Sequence, residues 1–380
     1  MKKIFLALVL VLLLTSCGKA ETTTTEDLSS IANLSYKKED GAMTILGVTG
    51  NYKEDLVIPE TINGLTVKKL AAECFRNTKI KTLDLPDTLD TIGSNAFYGC
   101  NELEKLIIKA DFSLDEIFKD YKLEKLTEIE FKEGSDKIYN GYYENFMKQI
   151  TKVTIPSTIK TFEEDCFKGF ENVNHLIFPG HIQYAKNIDP QYLNPNVVEI
   201  KEGSEIIREF MFADSLVSEV IIPESVKIIY RCAFANTALL SKVTFVGDSN
   251  LNSIHQNAFS FSELKELSLP NKVSHIGNQA FSYSKIKSIN IPTALSIIEK
   301  ELFISSDIEE IYIPNNIKEI KENALYDCKK LTTINLDSIV IMELSVLGNN
   351  TKLNSINCNF EQTDKLNQGF SDYLDIINFS

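Results

Sequence analysis

Apolar residues return along this chain in a fixed frame. Laid under one another, the segments LDLPDTLDTIGSNAFYGCNELEKL, LSLPNKVSHIGNQAFSYSKIKSI, INIPTALSIIEKELFISSDIEEI and IYIPNNIKEIKENALYDCKKLTTI share one pattern. It runs close to L-x-[LI]-P-x-x-[LVI]-x-x-I-x-x-x-[AL]-[FL], followed by a polar turn and the next apolar pair. Pro270, Pro292 and Pro314 are each 22 residues apart, as are Phe259, Phe281 and Phe303. Upstream, Pro86 to Pro156 is 70 residues, Pro156 to Pro179 is 23 and Pro179 to Pro223 is 44, which are about three, one and two periods. TEIEFKEGSDKIYNGYY and VEIKEGSEIIREFMF resemble each other and are degenerate copies without the proline, so 110–150 and 180–215 keep only part of the frame. Self-similarity at such a period marks stacked units, none of which buries its apolar face alone.

Within a unit, Leu83-Asp84-Leu85, Val153-Thr154-Ile155 or Ile289-Asn290-Ile291 sends two side chains inward and one outward, as a strand requires. Proline, with no N–H to give the ladder, then ends the strand. The next Ile and the Ala-Phe pair (Ile92, Ala96, Phe97; Ile276, Ala280, Phe281) bring the chain back along the other side and enter the core. The prediction is a repeat solenoid, α/β or mostly β, with about thirteen parallel strands on one face and short helical turns and loops on the other. The array is expected over 56–336, from Leu56–Ile58 to Thr333–Leu336, with a further strand near Leu353–Cys358. Its open edges need caps. LSYKKEDGAMTILGV, two alternating runs about Asp40-Gly41, predicts a β-hairpin cap within 33–55. A C-terminal cap is expected over 337–380, with TDKLNQGFSDYLDII from Thr363 as a short amphipathic helix over the last strand.

The N-terminus reads as a targeting segment. Lys2 and Lys3 precede eleven apolar residues, Ile4 to Leu14, too few to cross a hydrocarbon core that needs about 20 helical residues. Leu14-Thr15-Ser16-Cys17 resembles the bacterial lipobox. That resemblance implies a lipoprotein signal peptide over 1–16, lipid attachment at Cys17, and a membrane contact made through that lipid alone. Residues 17–32, with the run ETTTTEDLSS, are polar and without periodic apolar positions, and read as a flexible tether.

The formal net charge is −14, which opposes nucleic acid, where affinity comes from Lys and Arg on phosphates. Beyond Cys17, six cysteines (Cys74, Cys100, Cys166, Cys232, Cys328, Cys358) form no CxxC pair. Cys74 and Cys166 stand where other repeats have alanine, and Cys100 and Cys328 share a second repeat position, so they read as small buried packing residues. His175, His255 and His275 fall at variable, solvent-facing repeat positions, and His181 lies in a turn. No HExxH, nucleophile elbow, phosphate loop or GxGxxG is present. Glu128-Glu130 and Glu309-Glu310 read as solvated charges, since nothing marks them as desolvated. The sequence therefore predicts no catalytic residues, no metal, no cofactor and no enzyme.

Function is then expected on the outward side chains of the strands. One column reads Asp84, Ile107, Glu130, Thr154, Ile177, Glu199, Ile221, Thr244, Ser268, Asn290, Tyr312, Asn335. Ile107, Ile177, Ile221 and Tyr312, rimmed by His175 and Glu219, predict a patch for a protein or glycan partner. IGSNAF at 92–97 and IGNQAF at 276–281, in phase with the prolines, closely resemble the BspA-like leucine-rich-repeat family over about 45–336. The resemblance implies a bacterial, lipid-anchored protein exposed at the cell surface and active in adhesion to host or microbial partners. A scaffold or assembly protein facing the periplasm or cell wall is the alternative.

Overall fold

The computed structural model describes residues 33–112, 114–118, 121–138, 148–163, 166–184, 193–338, 340–343, 345–358 and 373–379. The signal peptide, Cys17, the tether and the first part of the expected C-terminal helix lie outside them.

The chain is a parallel β-solenoid. Nine strands, from Asp55–Val57 to Lys242–Phe245, form one parallel sheet in chain order. The ladder continues in Glu266–Leu267 with Ser288–Ile289, and then in Glu310–Ile313, Thr333–Leu336, Ser355–Cys358 and Ile377–Phe379. Leu83, Leu106, Ile129, Val153, Leu176, Val198 and Val220 fall opposite one another and point into the core, all at most 1% exposed. Of the two alternatives, α/β and mostly β, the fold is the second. One short α-helix, Leu114–Phe118, sits in the first degenerate stretch.

Opposite the main ladder runs a second one, built of two-residue strands. It includes Ile206–Ile207, Ile228–Ile229, Ser253–Ile254 and His275–Ile276 in one sheet, and Ile297–Ile298, Glu319–Ile320 and Ile341–Met342 in another. Each contributes one inward residue to a buried column, Ile207, Ile229, Ile254, Ile276, Ile298, Ile320 and Met342.

The turn carrying Ala-Phe is held by two left-handed residues four apart: Asn95 and Gly99, Cys232 and Asn236, Asn257 and Phe261, Gln279 and Tyr283, Asn323 and Asp327. This backbone lets successive turns hydrogen-bond along the solenoid axis. The Phe259 N–H donates to the Ala280 carbonyl (2.8 Å), Phe281 to Leu302 (3.0 Å) and Phe303 to Ala324 (2.8 Å). The rings of Phe212, Phe234, Phe259, Phe281 and Phe303 stack through the core, centroids 5.1, 4.9, 5.4 and 5.6 Å apart, and all five are fully buried.

Three residues after Phe97, Phe234, Phe281 and Leu325 stands a small donor. Thr237 Oγ1 donates to the Phe234 carbonyl (2.9 Å), Ser284 Oγ to Phe281 (2.7 Å), Cys100 Sγ to Phe75 (2.9 Å) and Cys328 Sγ to Phe303 (3.1 Å). Cys100 and Cys328 are thus buried thiols in a column of hydroxyls. Cys74, Cys166 and Cys358 are also buried, and Cys232 is half-buried.

At the N-terminal end, Leu34–Glu39 and Ala42–Val48 form an antiparallel hairpin about Asp40 and Gly41, both with positive φ (50° and 79°). Its second strand joins Leu65–Leu70 in parallel, so the hairpin closes that end. At the other end, Tyr373–Ile376 make a 3₁₀ turn and Ile377–Phe379 add a parallel strand beside Ser355–Cys358. There Asn335, Asn357 and Asn378 form an amide ladder, with Asn357 Nδ2 donating to Asn335 Oδ1 (2.8 Å) and Asn378 Nδ2 to Asn357 Oδ1 (3.1 Å).

Candidate functional site

Strand alternation leaves two outward columns on the main ladder. One places Asp84, Ile107, Glu130, Thr154, Ile177, Glu199, Ile221 and Thr244 side by side in unbroken register. The other does the same for Lys105, Glu128, Lys152, His175, Val197, Glu219 and Lys242. Eight of the nine predicted face residues therefore share one continuous surface. Tyr312 lies farther along the ladder, opposite Asn335.

Ion pairs organise this surface. Lys105 bridges Glu128 (3.0 Å) and Glu130 (2.8 Å), and Lys152 shares Glu128 (3.3 Å). His175 Nε2 lies 3.1 Å from Glu199, and Lys242 pairs with Glu219 at 2.6 Å. Burial pushes the Glu128 carboxyl up, but Lys105 and Lys152 outweigh it and hold the group below the usual carboxylate range. Glu128 is thereby kept as a structural anion. No cluster of three or more His, Cys, Asp or Glu side chains fit to hold a metal occurs among the described residues.

Ile107, Ile177 and Ile221 are half-buried between these polar neighbours, with Glu199 in register between Ile177 and Ile221. Thr154 points outward yet is only 5% exposed. Its short side chain lies between the longer Glu130 and Ile177 in register on either side. Tyr312 is 51% exposed, and its hydroxyl donates to the Asp337 carboxylate.

The degenerate repeats add two lysines that sequence reasoning missed. Lys132 and Lys201 occupy the place that proline holds in regular units, and each reaches back along the face. Lys132 Nζ donates to the Leu85 carbonyl (2.8 Å) and pairs with Asp84 (2.9 Å) and Asp87 (3.2 Å). Lys201 Nζ donates to the Ile155 carbonyl (3.3 Å) and pairs with Glu133 (2.6 Å).

A second exposed feature lies on the turns. Phe261 and Tyr283, 55% and 46% exposed, stand where other turns carry Asn236, Asp327 or Asn349. Leu216 and Leu239 are exposed on the two preceding units. The signal in the sequence was an aromatic at a left-handed turn position, which the repeat pattern treats as variable.

The chain is similar to several solved structures. A leucine rich cell surface protein of Faecalibacterium prausnitzii is 19% identical, with 91% of this chain and 97% of that one covered at a TM-score of 0.32. A leucine-rich repeat protein of Eubacterium ventriosum is 17% identical, with 88% and 90% covered at 0.38, and one of Bacteroides ovatus is 17% identical, with 92% and 98% covered at 0.32. No curated protein matches the chain. The BspA type leucine rich repeat region matches in six copies, over residues 115–188, 191–307 and 276–379, and the chain belongs to that family.

Proposed function

We propose that this protein is exported, anchored by lipid at Cys17, and held at the bacterial cell surface, where the main strand face binds a protein or glycan partner in adhesion. Residues 17–32 serve as the tether, 33–55 and 337–380 as caps, and the solenoid between them as a binding scaffold without a catalytic residue or cofactor of its own. The observation that carries this reading is the register of Ile107, Ile177 and Ile221 with Glu130, Glu199 and Thr154 on one continuous surface. Apolar groups spaced among fixed charges give a partner both contact area and orientation. A solenoid's long face is also its usual binding surface.

Protease added to intact cells tests the placement. The full chain is expected to be cleaved without lysis. Protection until the envelope is broken would overturn surface exposure and favour the envelope scaffold. The face itself is tested with Ile177→Thr/Ile221→Thr, which removes apolar contact without setting a second carboxylate beside Glu199. Partner capture from host or microbial surfaces is expected to fall, and capture at the wild-type level discards the strand face.

A further inference from the structure

Among the described residues, the second ladder is interrupted. Lys137–Ile138 pairs with Thr161–Phe162, and the ladder resumes only at Ile206–Ile207. Among the described residues, the unit between them, after strand His175–Phe178, contributes no strand to that side. A hollow of about 820 Å³ opens there, lined by Asp136, Ser157, Thr158, Lys160, His181 and Arg208 among others, within the size range of small-ligand sites.

Its geometry is fixed by close backbone packing. The Arg208 N–H donates to the Gly180 carbonyl at 2.8 Å. A Cβ on Gly180 would stand 2.0 Å from the Ile206 carbonyl oxygen, so only glycine permits this approach. Arg208 Nη1 also donates to the His181 carbonyl (3.4 Å), which ties the guanidinium to the rim.

The charges of the hollow do not cancel. Lys160 faces Asp136 at 3.7 Å, and Lys201 takes Glu133 at 2.6 Å. Glu133 is further committed to the Ser157 and Thr158 N–H groups, at 3.0 and 3.1 Å. Arg208 has no carboxylate partner among the described residues, whereas Arg76 pairs with Glu73 (2.7 Å) and Arg231 with Glu209 (3.8 Å). A chain of net charge −14 thus holds one hollow with a guanidinium that no carboxylate of the described residues pairs, beside Lys160 and the Ser157 hydroxyl.

We propose that this hollow binds a small, hydroxyl-rich anion, its carboxylate or sulfate group seated between Arg208 and Lys160. The planar guanidinium fits either oxyanion in two-pronged fashion, and the Ser157 hydroxyl lies on the same wall for the ligand's polar body, while the Thr158 hydroxyl is held by the Gly134 N–H and the Ser135 carbonyl. The site is separate from the strand face and does not rest on the adhesion reading.

Calorimetric titration of the full chain with glucuronate, with inorganic sulfate and with neutral glucose tests it. Binding of glucuronate alone assigns a carboxylate ligand, binding of sulfate assigns a sulfated one, and glucose is expected to give no heat. Arg208→Gln and Lys160→Gln are each expected to weaken the bound anion about tenfold or more. Lys160 is three-quarters exposed, so its variant keeps the test valid if Arg208→Gln disturbs the fold. Heat from neither anion, equal heat from glucose, or unchanged affinity in a folded variant overturns the proposal.

Discussion

Phe261 and Tyr283 stack face to face, ring centroids 4.7 Å apart and planes within 4°, and both do so from left-handed backbone, with φ of 56° and 55°. For a bulky L-residue that conformation costs about 1–2 kcal/mol, and a stacked aromatic pair returns about 0.5–1.5 kcal/mol. The two effects can be separated by substitution. Phe261→Ala loses the ring and keeps the strain, so it is expected to destabilise by about 1 kcal/mol. Phe261→Asn also loses the ring but tolerates the left-handed turn, and it is expected to stay within a few tenths of wild type. Thermal melting of both variants decides, and Asn proving no better than Ala would refute the strain account.

The thiols give a chemical prediction. Burial pushes Cys74 and Cys328 up to about 12, and raises Cys100 and Cys358 as well. Thiolate is the reactive form, so iodoacetamide at pH 8 is expected to spare these positions in the folded protein. Cys232 is raised by burial too, but it is only half-buried, at the start of a turn, and should be the first of the six to react. Peptide mapping after a brief pulse checks the order, and denaturant should expose all of them. Early modification of Cys328 would contradict its place in the hydroxyl column.

The repeat frame was readable because leucine, isoleucine, proline and phenylalanine recur in phase at positions that must be buried. The second ladder was not, since strands such as Ile228–Ile229 and His275–Ile276 are two residues long and too short for an alternation to register. The outward column was legible in position but not in exposure. Thr154 is covered by its neighbours in register, a property of side-chain length across units that no single segment contains. Lys132 and Lys201 looked like lost prolines, and their bonds to the Leu85 and Ile155 carbonyls join residues 47 and 46 positions apart. The hollow at Arg208 is lined by residues as far apart in the chain as Gly134 and Arg208, a juxtaposition that local sequence does not show.

Acid sensitivity should centre on Glu133. Burial pushes its carboxyl up, but the Lys201 ammonium and the Ser157 and Thr158 amides outweigh that and hold it below its ordinary 4.5. A depressed carboxylate contributes stability that is present above the unfolded value and lost as pH falls through the folded one. Wild type and Glu133→Gln should therefore differ in melting temperature by a constant amount from pH 7 down to about 5.5. Below that the difference should shrink and vanish as Glu133 protonates. A gap that persists unchanged at pH 3 would show that the side chain acts through packing instead.

The buried phenylalanine column allows a test of how stability is distributed along the solenoid. Phe281 is fully buried between Phe259 and Phe303, at 5.4 and 5.6 Å. Phe281→Ala removes apolar burial and leaves a cavity bounded by hydrogen-bonded turns that cannot close on it, so the expected cost is about 3–5 kcal/mol. Phe259→Ala should cost a similar amount. The 259–281 contact is lost in either single variant, so the double variant should cost less than the sum by about one aromatic pair, 0.5–1.5 kcal/mol. Phe234 touches Phe259 and not Phe281 in the stack, so Phe234→Ala with Phe281→Ala should add to within about 0.5 kcal/mol. Denaturant melts of the three single and two double variants give both couplings. Nearest-neighbour stacking requires the first to be large and the second small, and equal couplings would mean that the array yields as one block.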